Sequence, residues 1–166
     1  MTDRPRDRGV LPRNPGILIV DDMSSMLTLF RIELESRGFT VWLAADGSSA
    51  VELYRRRREE IDLVLLDVQM PDPDGPLTLA ALRRVDPGVV ACFMTEVPGN
   101  YTEEELLARG AVCTFTKPFR SADVARFLQA LVAARRSGGL AEWLPFACDW
   151  EDPLRAGRGK TPTEAN

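Results

Sequence analysis

Reactive side chains stand at the ends of four apolar runs in this chain. Asp21 and Asp22 follow "ILIV", Asp67 follows "VLL", Thr95 closes "VVACFM" and Lys117 follows "AVCTFT". If these runs are parallel strands, their carboxyl ends meet at one edge of the sheet, where ligands of such folds bind. We therefore expect three carboxylates, a hydroxyl and an ammonium group to lie close together.

Such a cluster has a definite chemistry. Crowded carboxylates repel one another unless a cation lies among them, and a site made only of oxygen ligands favours Mg²⁺. With Mg²⁺ bound, Asp67 stays ionised and can attack phosphorus as a nucleophile. Thr95 and Lys117 can then hold the phosphoryl oxygens. The stretch "VQMPDPDG" after Asp67 is rich in proline and glycine, which predicts a shaped loop beside the acid.

The elements that position these side chains alternate along the chain. Predicted strands cover 17–22, 39–44, 61–67, 89–95 and 111–116, and predicted helices lie at 24–37, within 46–60, at about 75–84, at 102–109 and at about 121–135. We expect Ser24 or Ser25 to cap the first helix, and Thr102 with Glu105 to form a capping box on the fourth. The strands are continuously apolar, which predicts a five-stranded parallel sheet covered on both faces, a doubly wound α/β domain.

Composition excludes several classes of function. The chain has 166 residues, a net charge of −4 and no histidine. The charge argues against general attraction to nucleic acid or membranes, and no apolar run approaches the roughly 20 residues of a membrane span. Without histidine there is no Ser-His-Asp or Cys-His catalysis on this chain. Three irregularly spaced cysteines predict reduced thiols and a cytoplasmic location.

Three regions follow from this pattern. We predict a disordered N-terminal arm at 1–15, one domain at 16–136 and a C-terminal tail at 137–166. The tail carries an aromatic segment, "GGLAEWLPFACDW", which is too apolar for an ordinary linker. Three outcomes stay open for it: folding back over the domain, binding another protein, or disorder.

The motifs together resemble the receiver domain of bacterial two-component response regulators. The matching features are Asp21-Asp22, Asp67 within "DVQMPDPDG", Thr95, and Lys117-Pro118-Phe119 after the fifth strand. The resemblance covers about residues 16–136 and suits a stand-alone receiver. It implies a (βα)5 flavodoxin-like fold and a phosphoacceptor signalling domain rather than an enzyme.

The resemblance also implies a role for each site residue. Asp67 would accept a phosphoryl group from a phosphohistidine on a sensor histidine kinase or phosphotransfer protein. Asp22, Asp67 and the backbone carbonyl of Gln69 would ligate Mg²⁺, and Asp21 would act through a bound water. Thr95 and Lys117 would contact the aspartyl phosphate. The Lys117–Pro118 peptide bond would be cis. Output would pass through contacts with an unknown protein, without nucleic acid or membrane.

The sequence departs from that family at two places. Alanine or glycine usually follows the threonine, but here Glu96 does, and its charge would repel an anionic donor. Tyrosine or phenylalanine often stands three residues before the lysine, but here Thr114 does. Phe115 is aromatic, yet strand alternation directs it to the opposite face.

Three functions remain compatible with the sequence. The first is a phosphorylatable receiver, and the second is a receiver-like docking module that acts without phosphorylation, which Glu96 and Thr114 favour. The third is a phosphatase of the haloacid dehalogenase type, which needs a second aspartate two residues after the first. Gln69 occupies that position, which argues against it.

Overall fold

The computed structural model describes residues 13–96 and 99–143. Five strands are present: β1 (Gly16–Val20), β2 (Thr40–Ala44), β3 (Leu63–Asp67), β4 (Ala91–Glu96) and β5 (Thr114–Lys117). The helices are α1 (Ser24–Glu35), α2 (Gly47–Arg57), α3 (Gly75–Val85), α4 (Glu103–Ala108), α5 (Ser121–Arg136) and the short α6 (Leu140–Trp143). All pairings are parallel, in the order β2-β1-β3-β4-β5. The doubly wound, flavodoxin-like prediction is confirmed.

The sheet separates two apolar cores. Alternate residues of β1 point to opposite faces, so Ile17 and Ile19 join the core under α1 and α5, whereas Leu18 and Val20 join the core under α2 and α3. All residues of β1 and β3 are buried, which explains their continuously apolar sequences. Because the two cores pack against both faces of the central strands, the residues at the ends of these strands are held in fixed positions.

The start of α1 differs from the prediction. Its N-cap is Met23, which makes no side-chain capping bond, and Ser24 is already helical. Two residues before this N-cap, the Asp21 Oδ1 atom accepts a hydrogen bond from the Met23 amide at 2.8 Å. This bond orders the backbone just before the helix. The helix ends two residues before the predicted boundary, and Gly38 follows with φ of 84°.

The capping box of α4 is confirmed. The Thr102 hydroxyl accepts from the Glu105 amide at 3.2 Å, and the Glu105 carboxylate accepts from the Thr102 amide at 2.7 Å. Two other helices start on aspartates, Asp46 at α2 and Asp74 at α3, whose side chains accept amide bonds from the first turn. These caps define the residues at which the three helices begin, next to the loops at the carboxyl edge of the sheet.

An ion-pair cluster lies at the amino ends of the central strands, opposite the carboxyl edge of the sheet. Asp62, buried before β3, accepts two hydrogen bonds from Arg13 at 2.8 and 3.1 Å, and two from Arg136 at 2.8 and 3.4 Å. The amide of Gly16 donates a further bond of 2.8 Å. Burial raises the pKa of Asp62, but the bonds from Arg13, Arg136 and Gly16 outweigh it and lower the pKa below its usual value.

This cluster brings the two ends of the described domain together. Arg13 lies within the predicted arm, and its contact with Asp62 shows how the last residues of that arm join the domain. The predictions for 1–12 and for the tail from 144 onward fall outside the described residues. Across 13–96 and 99–143, no helix combines the length and apolarity needed to cross a membrane.

Candidate functional site

The three predicted acids meet at the carboxyl edge of the sheet. Asp21 and Asp22 follow β1 directly, and Asp67 is the last residue of β3, the strand beside it. One carboxylate oxygen from each lies within 4.8 Å of the others. Asp21 is 0% exposed and Asp67 is 4% exposed, whereas Asp22 faces solvent. Two of the three negative charges are therefore removed from water, which disfavours their ionised forms unless a cation lies nearby.

Lys117 reaches into this group from the end of β5. Its Nζ atom lies 3.2 Å from Asp67 Oδ1 and 3.7 Å from Asp21 Oδ2. The loop after it is anchored by Phe119, whose ring contacts Phe30 at a centroid distance of 5.9 Å and Phe115 at 6.4 Å. The Lys117–Pro118 bond is cis, as predicted. The aromatic contacts thus hold the backbone that carries the lysine.

One ammonium group does not neutralise the cluster. Burial raises the pKa of Asp67 to about 6, Lys117 opposes the shift, and the charges of Asp21 and Asp22 add to it. Burial also raises the pKa of Asp21, against the Met23 amide and Lys117. Both acids would become more acidic beside a further positive charge.

The donor set fits a hard divalent cation. Asp21 Oδ2 is buried and accepts no hydrogen bond, although buried oxygens are normally satisfied. Together with the converging oxygens of Asp22 and Asp67 it forms an all-oxygen site, which suits Mg²⁺. Gln69, the fourth predicted ligand, lies in the loop after β3 with its side chain exposed.

Thr95 lies near the end of β4, one register position beyond the Met94 that pairs with Asp67. It is buried, and its hydroxyl donates to the carbonyl oxygen of Glu96 at 3.3 Å rather than to Asp67. That bond is long, so it holds the hydroxyl weakly. Thr95 can therefore turn toward oxygens placed on Asp67 without losing a strong partner.

Gly75 sets the distance between β3 and α3. A Cβ atom at this position would lie 2.4 Å from the Asp67 carbonyl oxygen, so no larger residue fits. The Gly75 amide donates to the Val68 carbonyl at 3.1 Å. Close packing of this glycine brings the start of α3 against the strand end and orients the backbone that carries Asp67.

The two departures from the family pattern lie where the sequence predicts them. The side chain of Glu96, the last residue of β4, is exposed. Phe115 points into the α1 and α5 core, where it contacts Phe127 at 5.3 Å. Thr114 points the other way, and its hydroxyl donates to Glu103 Oε1 in the first turn of α4 at 3.1 Å.

Two residues beside the site were not singled out from the sequence. The Tyr101 hydroxyl donates to Asp74 Oδ2 at 2.7 Å, which joins the loop after β4 to the loop after β3. The order Asp74-Gly75-Pro76 is a recognisable helix start, with an N-cap followed by proline in the first turn. No local signal, however, pairs Asp74 with a tyrosine 27 positions away.

The chain is similar to known proteins in both sequence and structure. The family model described as "Response regulator receiver domain" matches residues 17–129. The probable transcriptional regulatory protein TcrX of Mycobacterium tuberculosis is 34% identical over 122 residues, covering 74% of this chain and 50% of that protein. PrrA of the same organism is 33% identical over 131 residues, covering 79% and 54%. The chain thus spans about half the length of these two relatives.

Solved structures give the same result. A CheY-like receiver domain from Methanospirillum hungatei is 26% identical, with a TM-score of 0.65 over 76% of this chain and 99% of that one. The CheX–CheY–BeF3–Mg²⁺ complex from Borrelia burgdorferi contains a chain that is 29% identical, with a TM-score of 0.64 over 73% and 89%. The family consists of phosphoacceptor signalling modules rather than catalytic enzymes. With the match extending from β1 into α5 and the acidic triad at the expected strand ends, this chain belongs to the response regulator receiver domain family.

Proposed function

We propose that this receiver accepts a phosphoryl group on Asp67 and signals through contacts with an output protein. The observation that carries the proposal is that Asp67, a buried carboxylate, lies 3.2 Å from the ammonium group of Lys117 and close to the two other acids. Asp67 can act as the nucleophile, and the ammonium group of Lys117 can stabilise the negative charge that develops on the phosphoryl group during its transfer. We propose a cytoplasmic location, where such partners and Mg²⁺ are available.

The donor would be a phosphohistidine on a sensor kinase or phosphotransfer protein. An Asp67 carboxylate oxygen forms the new bond to phosphorus, the P–N bond of the donor breaks, and its electron pair stays on the imidazole nitrogen. Lys117 and the Thr95 hydroxyl would hold the transferred phosphoryl oxygens. Asp21, Asp22, Asp67 and the Gln69 carbonyl would hold Mg²⁺. When bound, that ion neutralises charge on the carboxylates and on the phosphoryl group.

The direct test is the intact mass of the protein after incubation with acetyl phosphate. One phosphoryl group should be added when Mg²⁺ is present and none when it is chelated. Asp67→Asn should stay unlabelled. Asp46→Asn, which changes an exposed acid at the start of α2, is the matched control and should label like the parent. Equal labelling of the Asp67→Asn variant would refute the assignment.

A phosphate-independent docking module is the second candidate, and the hydrogen bond between Thr114 and Glu103 favours it. That bond links β5 to the first turn of α4 with no phosphoryl group on Asp67. The two functions differ in the response of α4 to beryllofluoride with Mg²⁺. Hydrogen exchange that changes in 103–108 supports phosphate-dependent output, whereas exchange that stays the same supports the docking module.

A further inference from the structure

Large apolar side chains lie exposed along one side of α1. Among the described residues, four large apolar side chains are at least 45% exposed, and three of them, Met23, Leu29 and Ile32, belong to α1 or its N-cap. Met26, which is half-buried, completes a row in which every third residue is apolar. Side chains three positions apart on a helix are neighbours, so these four form one continuous surface, the α1 stripe. Contiguous exposed apolar side chains of this kind mark contact sites.

The last helix of the sheet-covering layer ends beside this surface. α5 packs next to α1, and the two helices share one apolar core. Both follow strands of the same parallel sheet, so both run from its carboxyl edge toward the amino ends of the strands. At the end of α5, Arg136 donates to Asp62 at 2.8 Å and to the carbonyl oxygen of Arg13 at 2.8 Å. These bonds hold the point from which the tail departs, on the helix that neighbours α1.

The turn after α5 directs the chain back onto the domain. Gly138 has φ of 79°, a left-handed conformation that favours glycine. Its amide donates to the Arg135 carbonyl at 3.2 Å, and the Gly139 amide donates to the Ala134 carbonyl at 3.0 Å. These are the two bonds of a Schellman motif, which ends the helix and reverses the chain. Leu140, the first residue of α6, then packs against the core under α1 and α5. The tail therefore starts on the same side of the sheet as the α1 stripe.

The sequence that follows α6 suits an apolar surface of this size. The segment "LPFACDW", 144–150, contains three large apolar side chains, Leu144, Phe146 and Trp150. Pro145 lacks an amide hydrogen and disfavours helix at the residue before it, so we expect an extended segment rather than a longer α6. Seven extended residues span up to about 25 Å. The 12 residues of α1 make a helix about 18 Å long, so the segment can run along the whole stripe.

We propose that the α1 stripe is a docking site for the chain's own tail and that its occupant is the segment 144–150. Phe146 and Trp150 cover Ile32 and Leu29 and remove them from water. A protein that uses the same surface must first displace the segment, so the tail controls access to α1. A second copy of the chain fits less well. Four partly exposed side chains supply only part of the roughly 800 Å² that each partner buries in a standard interface, but they match a short aromatic peptide.

Ile32 provides a direct reporter in the full-length protein. The chain has four isoleucines, and the other three are buried: Ile17, Ile19 and Ile61. Methyl NMR of isoleucine-labelled protein with a soluble gadolinium chelate measures how far each methyl group is exposed. In the parent, the Ile32 signal should be protected nearly as well as the three buried signals. In a Phe146→Ser, Trp150→Ser double variant it should broaden several times faster, while the buried signals stay unchanged.

A substitution on α1 tests the same contact from the other side. Leu29→Ser should lower the unfolding temperature by about 2–4 °C and increase the quenching of tryptophan fluorescence by iodide, because the tail loses its contact. Leu77→Ser is the matched control, since Leu77 is similarly exposed but lies on α3, which covers the opposite face of the sheet. It should change neither value. Equal effects of the two substitutions would contradict the proposal.

The NMR comparison also separates the other occupants of the stripe. Ile32 that is equally accessible in the parent and in the double variant overturns the proposal and leaves the surface to another protein. Protection that is the same in both proteins and disappears on dilution assigns the stripe to a second copy, which overturns the proposal as well. Protection that is confined to the parent and independent of concentration supports it.

Failure of this proposal differs from failure of the proposed function. Neither measurement requires phosphoryl transfer. A parent protein that takes up no phosphoryl group with Mg²⁺ would refute the proposed function and leave the result for the tail unchanged.

Discussion

The ammonium group of Lys117 lies 3.2 Å from Asp67 Oδ1 and 3.7 Å from Asp21 Oδ2, so one cation serves two buried carboxylates. The lysine is itself largely buried, with 15% of its side chain exposed. Ion pairs in such surroundings contribute little when intact, yet they are costly to break because a charge is left without a partner.

Lys117→Met should therefore destabilise the metal-free protein at pH values where Asp67 is ionised. We expect a loss of about 3 kcal/mol in the free energy of unfolding near pH 8, measured by urea denaturation. The loss should shrink toward pH 5, because Asp67 then takes up a proton. As a control, Arg126→Met removes an exposed partner of Asp123 and should have little effect. A pH-independent loss would contradict the explanation.

Asp67 itself should limit stability without Mg²⁺. Its pKa is raised from 3.8 to about 6 by burial, so the folded protein binds the proton more tightly than the unfolded chain does. Stability therefore falls as pH rises from about 4 to 6, and above pH 6 the cost reaches up to about 3 kcal/mol.

Asp67→Asn removes that cost and should be more stable than the parent near pH 8 in the presence of a chelator. The difference should disappear as pH falls toward 4. Added Mg²⁺ should raise the unfolding temperature of the parent but not that of the variant. A parent that matches or exceeds the variant at high pH without metal would show that Asp67 is not destabilised by burial.

The charge of Glu96 should slow the approach of an anionic donor. Glu96→Gln keeps the size of this exposed side chain and should label with acetyl phosphate a few times faster, since exposed charges interact by about 1 kcal/mol or less. The gain should diminish at high salt. Glu104→Gln, at an exposed position of α4, is the control. The same rate for Glu96→Gln and the parent at low salt would show that the carboxylate points away from the path of the donor.

Gly75 should tolerate no side chain. Gly75→Ala places a methyl group 2.4 Å from the Asp67 carbonyl oxygen, so β3 and α3 must move apart. We expect a loss of about 1–3 kcal/mol in stability and slower labelling of Asp67. Gly139→Ala, whose nearest contact would be an ordinary 3.6 Å, should leave both unchanged. Normal stability and normal labelling of Gly75→Ala would mean that the loop adjusts without moving the acceptor.

The sequence alone determined the fold and the grouping of the acids. Continuous apolar runs separated by amphipathic segments predict parallel strands with covering helices. In such a sheet the carboxyl ends of all strands lie at the same edge. Asp21, Asp22 and Asp67 could be grouped in this way because hydrophobic periodicity and chain order are both local properties of the sequence.

Tertiary structure decided the contacts between distant side chains. Asp62 binds Arg13 and Arg136 across 49 and 74 positions, and Tyr101 reaches Asp74 across 27. Each depends on how helices and loops pack, which no local pattern encodes. The cap of α1 was predicted wrongly, since the helix begins at Ser24 with Met23 as its N-cap and without a side-chain capping bond. Hydrophobic periodicity predicts the positions of helices and strands, whereas burial and packing geometry determine which polar side chains bind one another.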